Sequence, residues 1–240
     1  MIRKCYKQKE FVGRIQKALG VNMGPVSCQI VDTDGMQKVM RGAGWSKNEV
    51  GGVVGFQVDK KVYVLDKAPW TVLHELIHRA GVNSDRLSRY VAEGLTEVIA
   101  GELKQGSDEH RATYPEESRW VKTQLLPRLN MSGVQLGRVI ANSPNPPRDL
   151  AALMAKAKPG TDARKLEREL APQRPNAPSF NRTHVTRVGN DHSHAMRSWR
   201  GSAGQTTKDD THTERIGAVL LVASAALLAP GIMRRMRGNA

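Results

Sequence analysis

Thr71-Val72-Leu73-His74-Glu75-Leu76-Ile77-His78-Arg79-Ala80-Gly81 is the stretch on which the fold turns, because it carries the pattern His-Glu-x-x-His. Residues four apart share one face of an α-helix, so His74 and His78 can both point at one ion. Val72, Leu73, Leu76, Ile77 and Ala80 form the apolar stripe, while Thr71, His74, Glu75 and His78 take the remaining arc. Pro69 suits the first turn of this helix and Gly81 its stop. Glu75 stands beside the first histidine, placed to act as a base on an attacking water without ligating the ion itself. Protein ligands, an open position and a nearby base are the parts a zinc hydrolase requires. The plainer alternative is an amphipathic helix with two surface histidines, so the flanking sequence decides.

A catalytic zinc takes three protein ligands, and this helix offers two. Extension to His-x-x-Gly-x-x-His fails, because His78-Arg79-Ala80-Gly81-Val82-Asn83-Ser84 ends in a hydroxyl, a poor zinc ligand. The next segment, Tyr90-Val91-Ala92-Glu93-Gly94-Leu95-Thr96-Glu97, offers a carboxylate instead. A turn after Gly81 and an antiparallel return bring Glu93 over the two histidines. Glu97, one helical turn further along the same face, then accepts a hydrogen bond from the far nitrogen of a ligand histidine and sets its tautomer.

His-Glu-x-x-His followed by Glu-Gly-x-x-Glu resembles the gluzincins, the thermolysin- and aminopeptidase-like zinc metallopeptidases. The resemblance covers about residues 50–126. It implies an α+β, zincin-like domain and a Zn2+ cofactor held by His74, His78 and Glu93. It also implies a protein or peptide substrate, with Glu75 as the general base of its hydrolysis. The spacer between His78 and Glu93 is shorter than in the best-known members, and Glu97 stands where many have aspartate. The tetrahedral oxyanion of such a reaction needs a further donor. Tyr114 is the first candidate, with His110 and Arg111 behind it, on a loop able to fold over the cleft; its ordinary alternative is packing at a helix start.

Working outward, Val53–Val58 and Val62–Leu65 read as a β-hairpin around Asp59-Lys60-Lys61, and such a hairpin offers an edge to an extended peptide. Ser27–Val31 reads as a strand and residues 7–19 as a short basic helix stopped by Gly20. Downstream, Ser84 is the expected N-cap of a helix running to about Leu103. Thr113-Tyr114-Pro115-Glu116 reads as a capping box opening a helix that Pro127 ends. Ser132–Ile140 and Arg148–Ala157 are further helical candidates, and Thr161–Leu170 a charged turn or two. The metallopeptidase domain is thus expected over 1–157. A basic, largely disordered linker follows over 158–215, then an uncharged run over 216–233 as a membrane-spanning helix, then a basic tail over 234–240.

The chain carries 37 Lys and Arg against 23 Asp and Glu, a formal charge of +14. Half of that excess lies after residue 157, at about twice the density, which favours anionic surfaces. Nucleic acid is not the expected partner, since zinc-finger spacing, RNA-binding aromatic signatures and phosphate loops are all missing from the sequence. His184, His192, His194 and His212 read as solvated side chains of the linker. Cys5 and Cys28 read as free thiols of a reducing compartment, with one disulfide between them as the alternative, and the charged N-terminus has no secretory signal pattern. The expected location is a membrane, through a single C-terminal anchor, and otherwise the cytoplasm; the side of the membrane is left open by the sequence. The rival to a peptidase is a non-catalytic, membrane-tethered scaffold that keeps the same fold.

Overall fold

The computed structural model describes residues 2–45, 53–58, 60–83, 85–106, 108, 111–172 and 183–187. All belong to one unit, Met1–Ala195. Within it stands an α+β arrangement, a small mixed sheet with a series of helices. Strands β1 (Arg3–Lys4), β2 (Ser27–Val31), β3 (Val53–Val58), β4 (Lys61–Leu65) and β5 (Thr183–Arg187) lie in the order β1-β2-β4-β3-β5. Only the β2–β4 pair is parallel among them; β3 and β4 form the expected antiparallel hairpin.

Alternation gives the sheet two faces. Phe56, Tyr63 and Leu65 turn towards α2 (Thr33–Gly42), whose Met36 and Met40 complete a buried apolar cluster with them. Gly55, Val62 and Val64 lie on the opposite face, where α3 (Val72–Arg79) packs against β3 and β4. A single 3-10 turn, Pro69–Thr71, leads into α3. Helix α1 (Gln8–Leu19) buries Phe11, Ile15 and Leu19, as its spacing predicts.

Helix α4 (Arg89–Leu103) packs against α3. It starts four residues later than expected, with Ser88 as its N-cap; Ser84 lies outside the described residues, and the amides of Arg86 and Leu87 bond to the carbonyl of Asn83. Helix α5 (Pro115–Trp120) lacks the expected capping box. Its N-cap is Tyr114, and the amide of Thr113 donates to Glu97 rather than closing a local cap. Pro127 does not end this segment. A π turn over Val121–Leu125 lets Leu126 donate to the carbonyl of Val121, and α6 (Leu126–Leu129) carries Pro127 in its first turn, where its missing N–H costs no bond.

Helix α7 (Gly133–Asn142) is closed by a reciprocal capping box between Ser132 and Gln135, and α8 is Pro146–Ala157. Packing continues beyond residue 157. Helix α9 (Ala163–Leu170), capped by Asp162, lies on α8 and buries Leu166 and Leu170, and the carbonyl of Leu170 accepts from the amide of Ser88. Both α9 and β5 fall within the stretch read as linker. Residues 173–182 and 188–215, the run 216–233 and the tail lie outside the described residues. Among the described residues no helix is long and apolar enough to cross a membrane.

The cysteines correct an expectation. Cys5 and Cys28 are joined in a disulfide, with Cα atoms 5.3 Å apart. The cause is the adjacency of β1 and β2: the amide of Cys5 extends that ladder by donating to the carbonyl of Cys28.

Candidate metal centre

Three ligating atoms converge where α3 and α4 meet. His74 Nε2 and His78 Nε2 are 2.8 Å apart, and each is 3.1 Å from Glu93 Oε2. His74, Glu75, His78, Glu93 and Glu97 are all between 0 and 2 % exposed, so water gives little help in balancing their charges.

The orientation of each imidazole follows from what its other nitrogen meets. His78 Nδ1 lies 2.6 Å from the carbonyl of Val82, an acceptor only, so Nδ1 carries the proton and Nε2 presents a lone pair. That carbonyl comes within reach because Gly81, at φ 109°, turns the chain back beneath α3 through a conformation side chains disfavour. Thr96 on α4 donates its hydroxyl to the same carbonyl at 3.2 Å. His74 Nδ1 lies 3.4 Å from Glu97 Oε1, an ion-pair contact that favours a proton on Nδ1. The same Glu97 oxygen accepts from the amides of Thr113 and Tyr114 at 2.6 and 3.3 Å.

Two imidazole lone pairs and a carboxylate oxygen facing one another repel unless a cation lies among them. A tetrahedral ion with ligands about 2.0–2.1 Å away separates them by roughly 3.3 Å, close to the edges of this triangle. The donor set, its burial and its outer hydrogen bonds therefore fit a metal ion. A proton is the alternative cation. Burial opposes charging His74, but the Glu93 and Glu97 carboxylates prevail and hold its pKa up at about 10.

Glu75 sits on the sheet side of α3 with its carboxyl against Gly55 of β3. A Cβ on residue 55 would lie well inside van der Waals contact with Glu75 Oε1, Cδ and Cγ. Only a residue without a side chain leaves room for this carboxyl. Tyr114 stacks on His74, with ring centroids 5.8 Å apart and planes 26° from parallel. Its hydroxyl accepts from Arg89 at 3.4 Å, and Arg89 Nε lies 3.8 Å from Glu93 Oε1. Arg111 is placed over the ring of Trp70, and His110 lies outside the described residues.

His74, His78, Glu93, Glu97 and Tyr114, all expected from the sequence, come together here, while Val82, Thr96 and Gly55 add supports that were not expected. Val82 acts through its main chain, which no residue type betrays. Thr96 and Gly55 had visible signals, a hydroxyl one turn from Glu93 and a glycine inside a strand. No protein-family model, curated protein or solved structure matches this chain.

Proposed function

We propose that this protein is a zinc-dependent metallopeptidase of the gluzincin type, built on a zincin-like fold. The reading rests on one observation: the Nε2 atoms of His74 and His78 and Oε2 of Glu93 lie within 3.1 Å of one another. His74, His78 and Glu93 would hold the ion. Bound there, zinc polarises a scissile carbonyl and lowers the pKa of water towards ~7.

The chain's own residues divide the remaining work. Glu75 holds the proton released during attack and returns it to the leaving amine, a task for which its enclosure against Gly55 keeps the carboxyl in one place. Glu97 orients His74 and couples it to the segment that opens α5. Val82 and Thr96 orient His78. Tyr114 buttresses the His74 ring, and its hydroxyl, beside Arg89, is the oxyanion donor in this reading. The substrate is a protein or peptide, and residues 216–233 tether the enzyme to a membrane.

The test uses the purified chain, its zinc content measured by elemental analysis and its cleavage of unstructured casein followed with and without chelator. About one zinc per chain, activity abolished by chelator, and a Glu75→Gln variant that keeps zinc but loses turnover are the expected results. Wild-type turnover by Glu75→Gln would end the catalytic reading. The non-catalytic scaffold is favoured by the near-complete burial of the site, and it predicts bound zinc with cleavage by neither chain.

A further inference from the structure

Without β5, strand β3 would be the outer edge of the sheet. That edge belongs to the strand whose Gly55 lies against the Glu75 carboxyl. An exposed strand edge is a row of unsatisfied amides and carbonyls, and extended peptides bind such edges through main-chain bonds. Here the row is taken by the chain's own late segment. Thr183–Arg187 runs antiparallel to β3, pairing Val58 with Thr183, Gln57 with His184, Phe56 with Val185 and Gly55 with Thr186. Neighbouring strands lie about 4.8 Å apart, so the backbone of this segment passes one strand spacing from the residue that touches the candidate base. Among the described residues the other strands come from residues 3–65, before α3, whereas β5 follows the last described helix by more than ten residues. Its sequence, Thr-His-Val-Thr-Arg, is short, β-branched and free of glycine and proline, the character of a bound extended peptide.

We infer that the outer edge of β3 is a peptide-docking groove and that residues 183–187 occupy it as an internal substrate mimic, displaced when another extended peptide enters. Its link to cleavage rests on the peptidase reading; the groove itself does not. The near-complete burial of Glu75, His74 and His78 agrees with a closed arrangement, in which no incoming peptide reaches them until a segment moves.

The test substitutes both Val185→Pro and Thr186→Pro in the full chain. Consecutive strand amides face opposite edges, so one of the two lost N–H groups faces β3 whatever the bonding register. The probe is a fluorescent peptide with the sequence of residues 181–189, its binding followed by polarisation. The double-proline chain is expected to bind it at least tenfold more tightly than wild type, and a probe carrying the same two prolines is expected not to bind. Hydrogen exchange of the β3 amides rises in the variant and falls again when the probe is added. A variant with native near-ultraviolet circular dichroism that binds the probe no better than wild type overturns the inference.

A second chain, Gln57→Cys with His184→Cys, guards against misfolding of the first, because these positions face each other across the pair. Oxidised, it is expected to exclude probe at concentrations where wild type binds; equal binding by the stapled chain overturns the groove. Casein separates the two proposals. Cleavage by the double-proline chain at tenfold the wild-type rate supports the mimic. Equal rates with exposed β3 amides refute autoinhibition and leave the peptidase standing. Probe binding with cleavage by neither chain sinks the peptidase and leaves the groove.

Discussion

Replacing Gly55 by alanine adds one methyl group to the closest contact between the sheet and α3. The new carbon would overlap Oε1, Cδ and Cγ of Glu75, all on a side chain that is 0 % exposed. Overpacking a buried site costs about 1–3 kcal/mol. Residue 55 is not among the positions with positive φ, so alanine fits the backbone and recovers about 0.4–1 kcal/mol through the unfolded chain. The net destabilisation is therefore about 1–2 kcal/mol, a fall in Tm of roughly 2–8 °C at this chain length. Urea unfolding followed by tryptophan fluorescence measures it. In a Glu75→Ala background the obstructing carboxyl is gone, so the same change becomes neutral or stabilising by up to about 1 kcal/mol. The double-mutant cycle thus carries an interaction energy of about 1–3 kcal/mol. If Gly55→Ala destabilises both backgrounds equally, the claimed contact does not govern this position. Casein turnover supplies a second measure, since a carboxyl displaced by about 1 Å loses on the order of 100-fold in rate.

Further outcomes follow from the same geometry. Glu97→Ala, which releases His74 Nδ1, is expected to weaken zinc affinity by about 10–100-fold in a competition assay against a chromogenic chelator, while Glu97→Gln retains part of it. Zinc added to chelator-treated protein raises Tm, by about 4 kcal/mol of stabilisation at 1,000 times Kd, and the rise disappears in His78→Ala. Asp108 is buried, which opposes its charge, yet Arg14 and Lys7 at 2.7 and 2.8 Å hold its carboxyl well below the usual carboxylate range. Its contribution is complete above about pH 4, the unfolded pKa, and is lost as pH falls further towards the folded value, so acid unfolding of Asp108→Asn is expected to be less steep than that of wild type. Opening the Cys5–Cys28 bridge by Cys5→Ser frees a loop spanning 23 positions and costs about 3 kcal/mol, read as a shift in urea midpoint.

Strong periodicity made much of this architecture legible. The apolar spacing of α1 and the stripe Val72, Leu73, Leu76 and Ile77 each name one element and one buried face, and the two β-rich runs around Asp59-Lys60-Lys61 name the hairpin β3–β4. Glu93 and Glu97 were legible because helical spacing confines both to one side of α4. Helix α2 was not recognised, although Asp32 caps it through the amide of Gly35 and Met36 and Met40 repeat at helical spacing. Its two glycines and its polar remainder hide that pattern. Strand β5 sits among proline- and asparagine-rich neighbours, and only pairing with β3 distinguishes it from them. Pro127 misled for a local reason, since the π turn that precedes it depends on neighbours rather than on any single residue. Pairing Cys5 with Cys28 requires the same kind of tertiary knowledge, that β1 lies beside β2.

The bond from His78 to Val82 spans four residues, and the two histidines lie in a segment that closes on itself through Gly81. Two of the three side chains that could hold an ion are therefore placed by contacts of very short sequence separation, which close at small entropic cost. Glu93 and Thr96 arrive only when α4 docks. An ion captured by the first pair would hold the nascent turn in shape while the second helix finds it, so the order of assembly is written into where the chain reverses.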